Sequence, residues 1–173
     1  AYAQLVIGFL IFGVALQHTG GGRFFINLAF ATFGHVRGGS AKVAIVSSGL
    51  MGSMSGSVIT NVLTTGQMTI PAMKKNGMEK EYAAGVEACA STGGVLLPPI
   101  MGSTAFVMAT FLNVAYTTVA LAAAIPALLY FFGLFVQVDA YAARKGLVGT
   151  PREELPSVVE TMRQGWFYLA AFA

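Results

Sequence analysis

Charged side chains are scarce in this chain. Only 10% of its 173 residues are Asp, Glu, Lys or Arg, whereas 55% are hydrophobic. Ordinary soluble domains are about 25% charged, and ten basic with seven acidic side chains cannot cover a domain of this size with a polar surface. The composition therefore excludes a soluble globular enzyme and predicts that lipid covers much of the surface.

Residues for several kinds of site are also missing. The single cysteine, Cys89, lies in an apolar segment, which excludes a disulfide and a cysteine metal cluster, so we expect it to fill space in the core. The glycines at 20–22 lack the Lys and hydroxyl pair of a phosphate loop. His18 and His35 lie near loop ends, apart from any serine nucleophile. The basic residues form short clusters and no continuous stripe, which argues against nucleic acid.

Long apolar runs predict transmembrane segments. Residues 1–17 fit most of one transmembrane helix of about 20 residues, and residues 23–37 fit either an interfacial helix or a buried amphipathic one. Residues 114–138 predict another transmembrane helix, 139–164 a cytoplasmic connector, and 165–173 the start of the next transmembrane helix. Because the chain starts with Ala inside an apolar pattern and stops inside another, we expect a fragment of a larger membrane protein.

The run at residues 43–73 has 31 residues without a charge, too many for one crossing of about 20 residues and too few for two. Gly and Ser replace helix formers at its centre, and Lys residues flank both ends, as expected of two cytoplasmic ends. The pattern predicts a re-entrant helical hairpin whose tip lines a cavity at mid-membrane depth. The alternative is that Gly52 and Gly56 only pack helices together.

A second uncharged run, residues 88–138, has 51 residues, enough for two crossings. A Gly-Gly pair at 93–94 and a Pro-Pro pair at 98–99 interrupt its first part near mid-membrane. We therefore predict a broken transmembrane helix at residues 78–112. Two broken elements that meet in a membrane free carbonyl oxygens for cations and amides for anions.

The oxygens at the two breaks suit a hard cation. The hydroxyls of Ser55 and Ser57, with carbonyls freed around residues 94–99, can replace the water of a sodium ion without a charged ligand. Glu87 is the carboxylate closest to the second apolar run. It either has a function inside the membrane or caps the cytoplasmic surface, and the sequence leaves both open.

Seven short motifs follow one another along the chain: residues 37–41 (RGGSA), 52–57 (GSMSGS), 61–66 (NVLTTG), 70–74 (IPAMK), 87–94 (EACASTGG), 97–102 (LPPIMG) and 151–156 (PREELP). Together they resemble the large membrane subunit of tripartite ATP-independent periplasmic (TRAP) transporters. The resemblance is to the fused-permease type in particular, in which small and large subunits share one chain. It extends over nearly the whole sequence.

This resemblance implies an all-α membrane protein, half of an elevator-type secondary transporter in the inner (cytoplasmic) membrane, in which a mobile domain carries substrate past a fixed scaffold. The fragment looks like the first of two inverted halves. The resemblance further implies sodium as coupling ion without other cofactors, a small organic acid as substrate, an extracytoplasmic solute-binding protein, and a small permease subunit or its fused equivalent.

In the family, one sodium ion lies between the first hairpin tip and the broken helix. The matching positions imply these sodium ligands, most of them through backbone oxygens: Ser55, Ser57, Gly94, Leu97 and Pro99. Further candidates for substrate binding or coupling are Asn61, Glu87, Ser91, Thr92 and Gly93. Asn61 stands where non-fused relatives usually carry Asp, and Gly93-Gly94 replaces their more varied pair.

The sequence therefore predicts a membrane permease component, not an enzyme, that takes part in sodium-coupled and binding-protein-dependent uptake of a small carboxylate. Two alternatives remain. One is a proton-coupled carrier that uses Glu87. The other is a non-transporting scaffold packed through Gly52 and Gly56.

Overall fold

The computed structural model describes residues 18–170 and, before them, Gln4, Ile7, Gly8, Ile11, Val14 and Ala15. The predicted helix at residues 1–17 therefore lies largely outside the described residues. Those residues form helices and no strand, which confirms the all-α class. The helices are α1 Gly21–Phe33, α2 Gly39–Ser55, α3 Val58–Lys75, α4 Lys80–Gly94, α5 Ser103–Phe111, α6 Tyr116–Lys145 and α7 Val158–Ala170, with a 3-10 turn at Arg152–Glu154.

Helices α2 and α3 form a helical hairpin around a short break. Gly56 ends α2 with a φ of 61°, in the left-handed region that glycine adopts at little cost, and its N–H donates to the carbonyl of Gly52. Ser57 is extended, and its hydroxyl accepts from the N–H of Thr60, so it caps α3. The arms extend beyond the uncharged run on both sides, to Gly39 and Lys75.

The chain between α4 and α5 is not helical over residues 95–102. The segment closes on itself, because the N–H of Gly102 donates to the carbonyl of Val95 at 2.9 Å. Met101 has a positive φ of 59°, and the Pro98-Pro99 peptide bond is cis. The Gly and Pro residues of the sequence thus coincide with a break between two helices.

Helix α6 is 30 residues long. In the part of the chain that the structure describes, it is the one helix that is long and apolar enough to cross a membrane, judged by length and composition. One of its faces is apolar and exposed, with members three or four residues apart: Leu121, Ile125, Leu128, Phe132 and Val136. The helix continues through the start of the predicted connector at residue 139 and ends at Gly146, which is left-handed.

Helix α2 lies at the centre of the fold and contacts α1, α3, α4 and α6. Its residues Val43, Ala44 and Ile45 are completely buried, and the many glycines and serines along it let neighbouring helices come close. Helix α1 contacts α2 and α7 and buries Phe24 and Phe25. The apolar face of α1 is therefore covered by protein.

Cys89 corrects one expectation from the sequence. It is exposed on α4, and its carbonyl accepts a hydrogen bond of 2.9 Å from the hydroxyl of Tyr130 on α6. The expectation that it fills the core is wrong, because an apolar run in a membrane protein does not distinguish the protein interior from the lipid-facing surface.

Candidate functional site

Two glycines bring the hairpin and the broken helix together. A Cβ built on Gly52 would lie 2.6 Å from the Cα of Gly94, and one on Gly94 would lie 2.6 Å from the carbonyl oxygen of Ser48. The preceding residue, Gly93, faces the other way, and a Cβ there would lie 2.7 Å from Cδ1 of Tyr130 on α6. The Gly-Gly pair therefore allows α4 to pack closely against α2 on one side and α6 on the other.

The non-helical segment 95–102 crosses the tip of the hairpin. The N–H of Ile100 donates to the carbonyl of Ser53 at 3.1 Å, and Gly56 lies against the carbonyl of Met101 with no room for a side chain. The two breaks predicted from separate parts of the sequence are therefore in direct contact.

Four helix ends meet in this region. Helices α2 and α4 both end here, at Ser55 and Gly94, so the negative ends of two helix dipoles converge. Helices α3 and α5 both begin here, at Val58 and Ser103, and bring positive ends. The region can therefore stabilise a cation beside the first pair of ends and an anion beside the second.

The predicted sodium ligands all lie in the two breaks or at the helix ends next to them, but several of their oxygens already have partners. The hydroxyl of Ser57 accepts from the N–H and the hydroxyl of Thr60, so its acceptor capacity is used in capping α3. Ser55 is half-buried, and its hydroxyl contacts the carbonyl of Ser57 at 3.4 Å. The carbonyl of Gly94 accepts from the N–H of Leu97 at 3.2 Å. A carbonyl has a second lone pair, so this bond leaves capacity for a cation.

The single hydroxyl proton of Tyr116 is shared between two carbonyl oxygens of the break. Its hydroxyl lies 2.7 Å from the carbonyl oxygen of Pro99 and 2.6 Å from that of Ile100. Its ring stacks on Phe106 with centroids 4.4 Å apart. The first residue of α6 thus fixes the orientation of a predicted ligand, a role that the sequence did not indicate.

Asn61 carries an acceptor without a partner. Its side chain is 1% exposed, and its Nδ2 donates to the carbonyl of Ser48 at 2.7 Å. Its Oδ1 is buried and has no hydrogen-bond partner within the described part of the chain. Buried acceptors are nearly always satisfied in folded proteins. The Nδ2 of the same side chain lies against Gly52 and Gly94, so the unpaired Oδ1 belongs to a side chain at the crossing of α2 and α4 and suits a cation or a donor from a ligand.

Glu87 is completely buried among hydroxyls. Its Oε1 accepts from Ser48 at 2.7 Å and from Ser91 at 3.3 Å, and also from Thr65, while its Oε2 contacts the hydroxyl of Thr69. The interpretation of Glu87 as a surface cap is therefore wrong. In the described part of the chain, no three His, Cys, Asp or Glu side chains lie together as metal ligands. The oxygens available to a cation here are those of hydroxyls, carbonyls and this carboxyl.

The remaining candidates have different surroundings. Ser91 is buried and belongs to the hydroxyl cluster around Glu87. Thr92 is exposed and donates to the carbonyl of Ala88 in its own helix, so it joins neither the breaks nor the cluster. Sequence reasoning missed Thr65 and Thr69, although their spacing of four residues places both on one face of α3.

An apolar cleft of about 560 Å³ lies behind the break, between α5 and α6. Its lining includes Val95, Met101, Met108 and Ala127. Because few polar groups face it, the cleft offers little to an anionic substrate, and the polar region at the two breaks is the better candidate site.

Comparison with known proteins places the chain among transporters. The family described as "Tripartite ATP-independent periplasmic transporter, DctM component" matches residues 1–173. The C4-dicarboxylate TRAP transporter large permease protein DctM of Vibrio cholerae is 34% identical over 151 residues, which are 87% of this chain and 33% of the relative. The protein of the same name from Pseudomonas aeruginosa is 32% identical over 164 residues, 94% of this chain and 38% of the relative.

A third relative is the sialic acid TRAP transporter permease protein SiaT of Haemophilus influenzae. It is 27% identical over 169 residues, which are 96% of this chain and 27% of the relative. The chain thus spans about a third of the length of these relatives. All three are named as permeases, and none as an enzyme.

Proposed function

The chain belongs to the DctM-component family of tripartite ATP-independent periplasmic (TRAP) transporters, and we propose that it forms part of a sodium-coupled membrane permease that imports a small organic acid. One observation carries the proposal. The break in the hairpin and the break in the following helix are in contact, because Gly56 lies against the carbonyl of Met101 and the N–H of Ile100 donates to the carbonyl of Ser53 in the last turn of α2. Such a pair of breaks is how secondary transporters expose backbone oxygens and amides at mid-membrane depth.

Sodium is the coupling ion in this proposal. Its site lies where the ends of α2 and α4 converge, with oxygens from Ser55, Gly94, Leu97 and Pro99 as ligands. Ser57 is the fifth ligand, and it must give up one of its present hydrogen bonds to bind the ion, because its hydroxyl caps α3 and its carbonyl accepts from the N–H of Asn61 at 3.0 Å. The convergence of two negative dipole ends supports a cation at this place.

The substrate in this proposal is an organic acid with a carboxylate. The relatives are named for C4-dicarboxylates and for sialic acid, and both kinds of molecule carry that group. The N-terminal ends of α3 and α5 supply positive dipole ends next to the sodium site. Asn61 is well placed to contribute its unpaired Oδ1 to a substrate hydroxyl or to the cation.

In the membrane, we expect the hairpin α2–α3 to be re-entrant, with its Lys-bearing ends on the cytoplasmic side of the inner membrane. Helix α6 crosses the bilayer, and α4 and α5 form a broken crossing. The transporter works by an elevator movement of the domain that contains both breaks. An extracytoplasmic binding protein delivers the substrate, and a small permease subunit, separate or fused, completes the scaffold.

The test is the thermal stability of the purified full-length permease in sodium chloride and in potassium chloride at equal ionic strength. A ligand that binds only the folded state stabilises it by about 1.4 kcal/mol at ten times its Kd. We expect the unfolding midpoint to rise with sodium alone. Uptake of a C4-dicarboxylate or of sialic acid into proteoliposomes, with the cognate binding protein, then identifies the substrate class.

Two serines of α2 provide a matched pair of variants. Ser55→Ala should reduce the sodium-specific rise, because Ser55 lies at the break. Ser47→Ala removes a hydroxyl that bonds only within α2, to the carbonyl of Val43 at 2.7 Å, and should leave the rise intact. Equal midpoints in sodium and potassium for the parent protein would contradict sodium coupling, and equal rises in both variants would move the site away from Ser55.

A further inference from the structure

We propose that Glu87 is a proton-binding site inside the membrane domain, and that the proton it holds competes with sodium at the neighbouring breaks. The first statement stands on the geometry of the hydroxyl cluster alone. The second rests on the proposed sodium-coupled function, so the two are tested by different measurements.

No cation accompanies the buried carboxyl. From α2, the nearest basic residue along the helix is Lys42, which pairs with Asp139 of α6 at 2.6 Å. The basic residues of α3 are at its exposed C-terminal end, and the charged residues of α4 other than Glu87 are at its exposed start. Within the described residues, none of these groups forms an ion pair with Glu87. An unpaired carboxylate in such surroundings is costly, whereas a neutral carboxylic acid is not.

The hydroxyl cluster has partners for both protonation states. In the ionised state, Ser48, Thr65, Thr69 and Ser91 each turn their single proton towards the carboxylate. In the neutral state, the carboxyl O–H at Oε2 donates to Thr69, whose own proton returns to the carbonyl of Thr65 at 3.0 Å. Neither state leaves a buried donor or acceptor unpaired, so the carboxyl can gain or lose a proton without loss of the fold.

The spacing of the oxygens favours a proton over a metal ion. Ser48 lies 2.7 Å from Glu87 and 3.0 Å from the hydroxyl of Thr65, which are hydrogen-bond distances with one proton between two oxygens. A hard cation holds each of its ligand oxygens at about 2.3 to 2.6 Å from itself and so spreads them further apart. This cluster is closed on itself and suits the smallest cation, the proton.

Ser48 connects the cluster to the breaks. Its hydroxyl donates to Glu87, while its carbonyl accepts from Asn61 and lies against Gly94. Thr65 makes a second connection, because its hydroxyl contacts both Glu87 and the carbonyl of Asn61. Along α4, the seven residues from Glu87 to Gly94 correspond to about 10 Å.

The opposite charges of a carboxylate and a sodium ion set the sign of the coupling between Glu87 and sodium, and this distance sets its order of magnitude. A negative charge about 10 Å from a sodium ion, at an effective dielectric constant of about 20, changes the affinity for sodium by about tenfold. Ionised Glu87 therefore favours sodium, and neutral Glu87 disfavours it. Because linkage is reciprocal, sodium binding weakens the binding of the proton at Glu87 by the same factor.

The proton itself is detected by infrared spectroscopy on the full-length permease in lipid nanodiscs. We expect a carbonyl band of a neutral carboxylic acid at low pH that disappears on raising the pH. The band should be missing in Glu87→Gln, in which the amide replaces the neutral acid with the same shape. Thr69→Val should shift the band, since it keeps Glu87 but removes a hydrogen-bond partner. Glu81→Gln, an exposed residue of the same helix, should leave the band unchanged.

The competition is measured by titrating sodium at several pH values, with the thermal midpoint as readout. We expect the apparent affinity of the parent protein to fall by about tenfold from high to low pH. Glu87→Gln should show the low-pH affinity at every pH, and Glu81→Gln should behave like the parent.

The outcomes separate the two proposals. The proton site is overturned if no carboxylic acid band is seen. It is also overturned if a band is seen but neither the Glu87 nor the Thr69 variant changes it. A band that stays at all pH values, with pH-independent sodium binding, overturns the competition and makes Glu87 a fixed structural acid. A pH-sensitive Glu87 band without any response to sodium leaves the proton site standing and contradicts the sodium-coupled function and, with it, the competition.

Discussion

Gly52 and Gly94 are in backbone contact where α2 crosses α4: a Cβ on Gly52 would lie 2.6 Å from the Cα of Gly94. We expect Gly94→Ala to force the two helices apart and to reduce the free energy of unfolding by about 1 to 3 kcal/mol, because an added methyl group has no space in a packed interior. The measurement is thermal or denaturant unfolding of the full-length permease in potassium chloride, where sodium does not contribute.

Gly85 on the same helix is the control for this prediction. A Cβ on Gly85 meets no atom within 4 Å, so Gly85→Ala should raise stability by about 0.5 to 1 kcal/mol through helix propensity. If Gly94→Ala proved as stable as Gly85→Ala, the close approach of α2 and α4 would be wrong.

A second prediction concerns the hydroxyl of Thr69, which is completely buried and contacts Oε2 of Glu87. Thr69→Val removes that partner with almost no change in shape. We expect a loss of about 1 to 3 kcal/mol, since the carboxyl oxygen is left without its donor or acceptor in the interior. The free energy of unfolding, measured near neutral pH, is the readout.

Thr64 offers a matched comparison on α3. Its hydroxyl is exposed and bonds only the carbonyl of Thr60, at 2.7 Å. Thr64→Val should therefore change stability by no more than about 0.5 kcal/mol. Equal losses in the two variants would mean that the contact between Thr69 and Glu87 contributes nothing.

The two breaks could be predicted from the sequence because each is a local feature. Residues 49–57 and 93–99 concentrate Gly, Ser and Pro inside uncharged runs, and such a concentration weakens a helix locally. A single proline is a poorer signal, since Pro71 and Pro126 lie inside α3 and α6. Contact between the breaks was expected from the way that transporters combine such elements and from the family resemblance. The ends of helices were predicted less accurately than the breaks. Helix α6, for example, continues beyond residue 139 to Lys145, because the residues that follow still favour a helix.

The contacts that define the site could not be predicted, because they join residues far apart in the chain. Ser48 and Glu87 are 39 positions apart, and Tyr116 reaches Pro99 from the start of the next helix. Nothing in the local pattern distinguishes Ser48 from the other serines of α2. Cys89 was misplaced for a different reason: lipid and protein interior are both apolar, so hydropathy does not determine which one a side chain faces.

A third prediction concerns Asp139, near the end of α6. Hydrogen bonds from Lys42 and from Arg37 hold the pKa of its carboxyl below its usual value. A carboxyl with a lowered pKa in the folded protein contributes stability above its unfolded pKa of about 3.9, and this contribution is lost as the pH falls through the folded value. We expect Asp139→Asn to lower the unfolding midpoint at neutral pH and to flatten its decline below about pH 4.

The comparison for Asp139 is Glu154→Gln. The carboxyl of Glu154 lies 3.7 Å from Lys75, and both side chains are well exposed, so this pair should contribute little. A series of midpoints between about pH 3 and pH 7 separates the two variants. The interpretation fails if Asp139→Asn and the parent protein lose stability in parallel below about pH 4.

The last prediction concerns the hydroxyl of Tyr116, which binds the carbonyls of Pro99 and Ile100. Tyr116→Phe keeps the ring that stacks on Phe106 but removes a hydrogen bond that orients a proposed sodium ligand. If loss of this hydrogen bond weakens sodium binding by about 1 kcal/mol, the apparent affinity for sodium falls several-fold. The affinity is measured as the sodium concentration that gives half of the rise in the thermal midpoint.

Tyr130→Phe is the control for this last test, because the Tyr130 hydroxyl bonds the carbonyl of Cys89 on α4, away from the non-helical segment. Both variants lose one tyrosine hydroxyl and one bond to a backbone carbonyl, so both should lose some stability. Only Tyr116→Phe should change the response to sodium. The same half-rise concentration in both variants would mean that the Pro99 carbonyl is not a ligand or does not depend on Tyr116 for its orientation. The sodium site would then have to be sought nearer to Gly94 and the unpaired oxygen of Asn61.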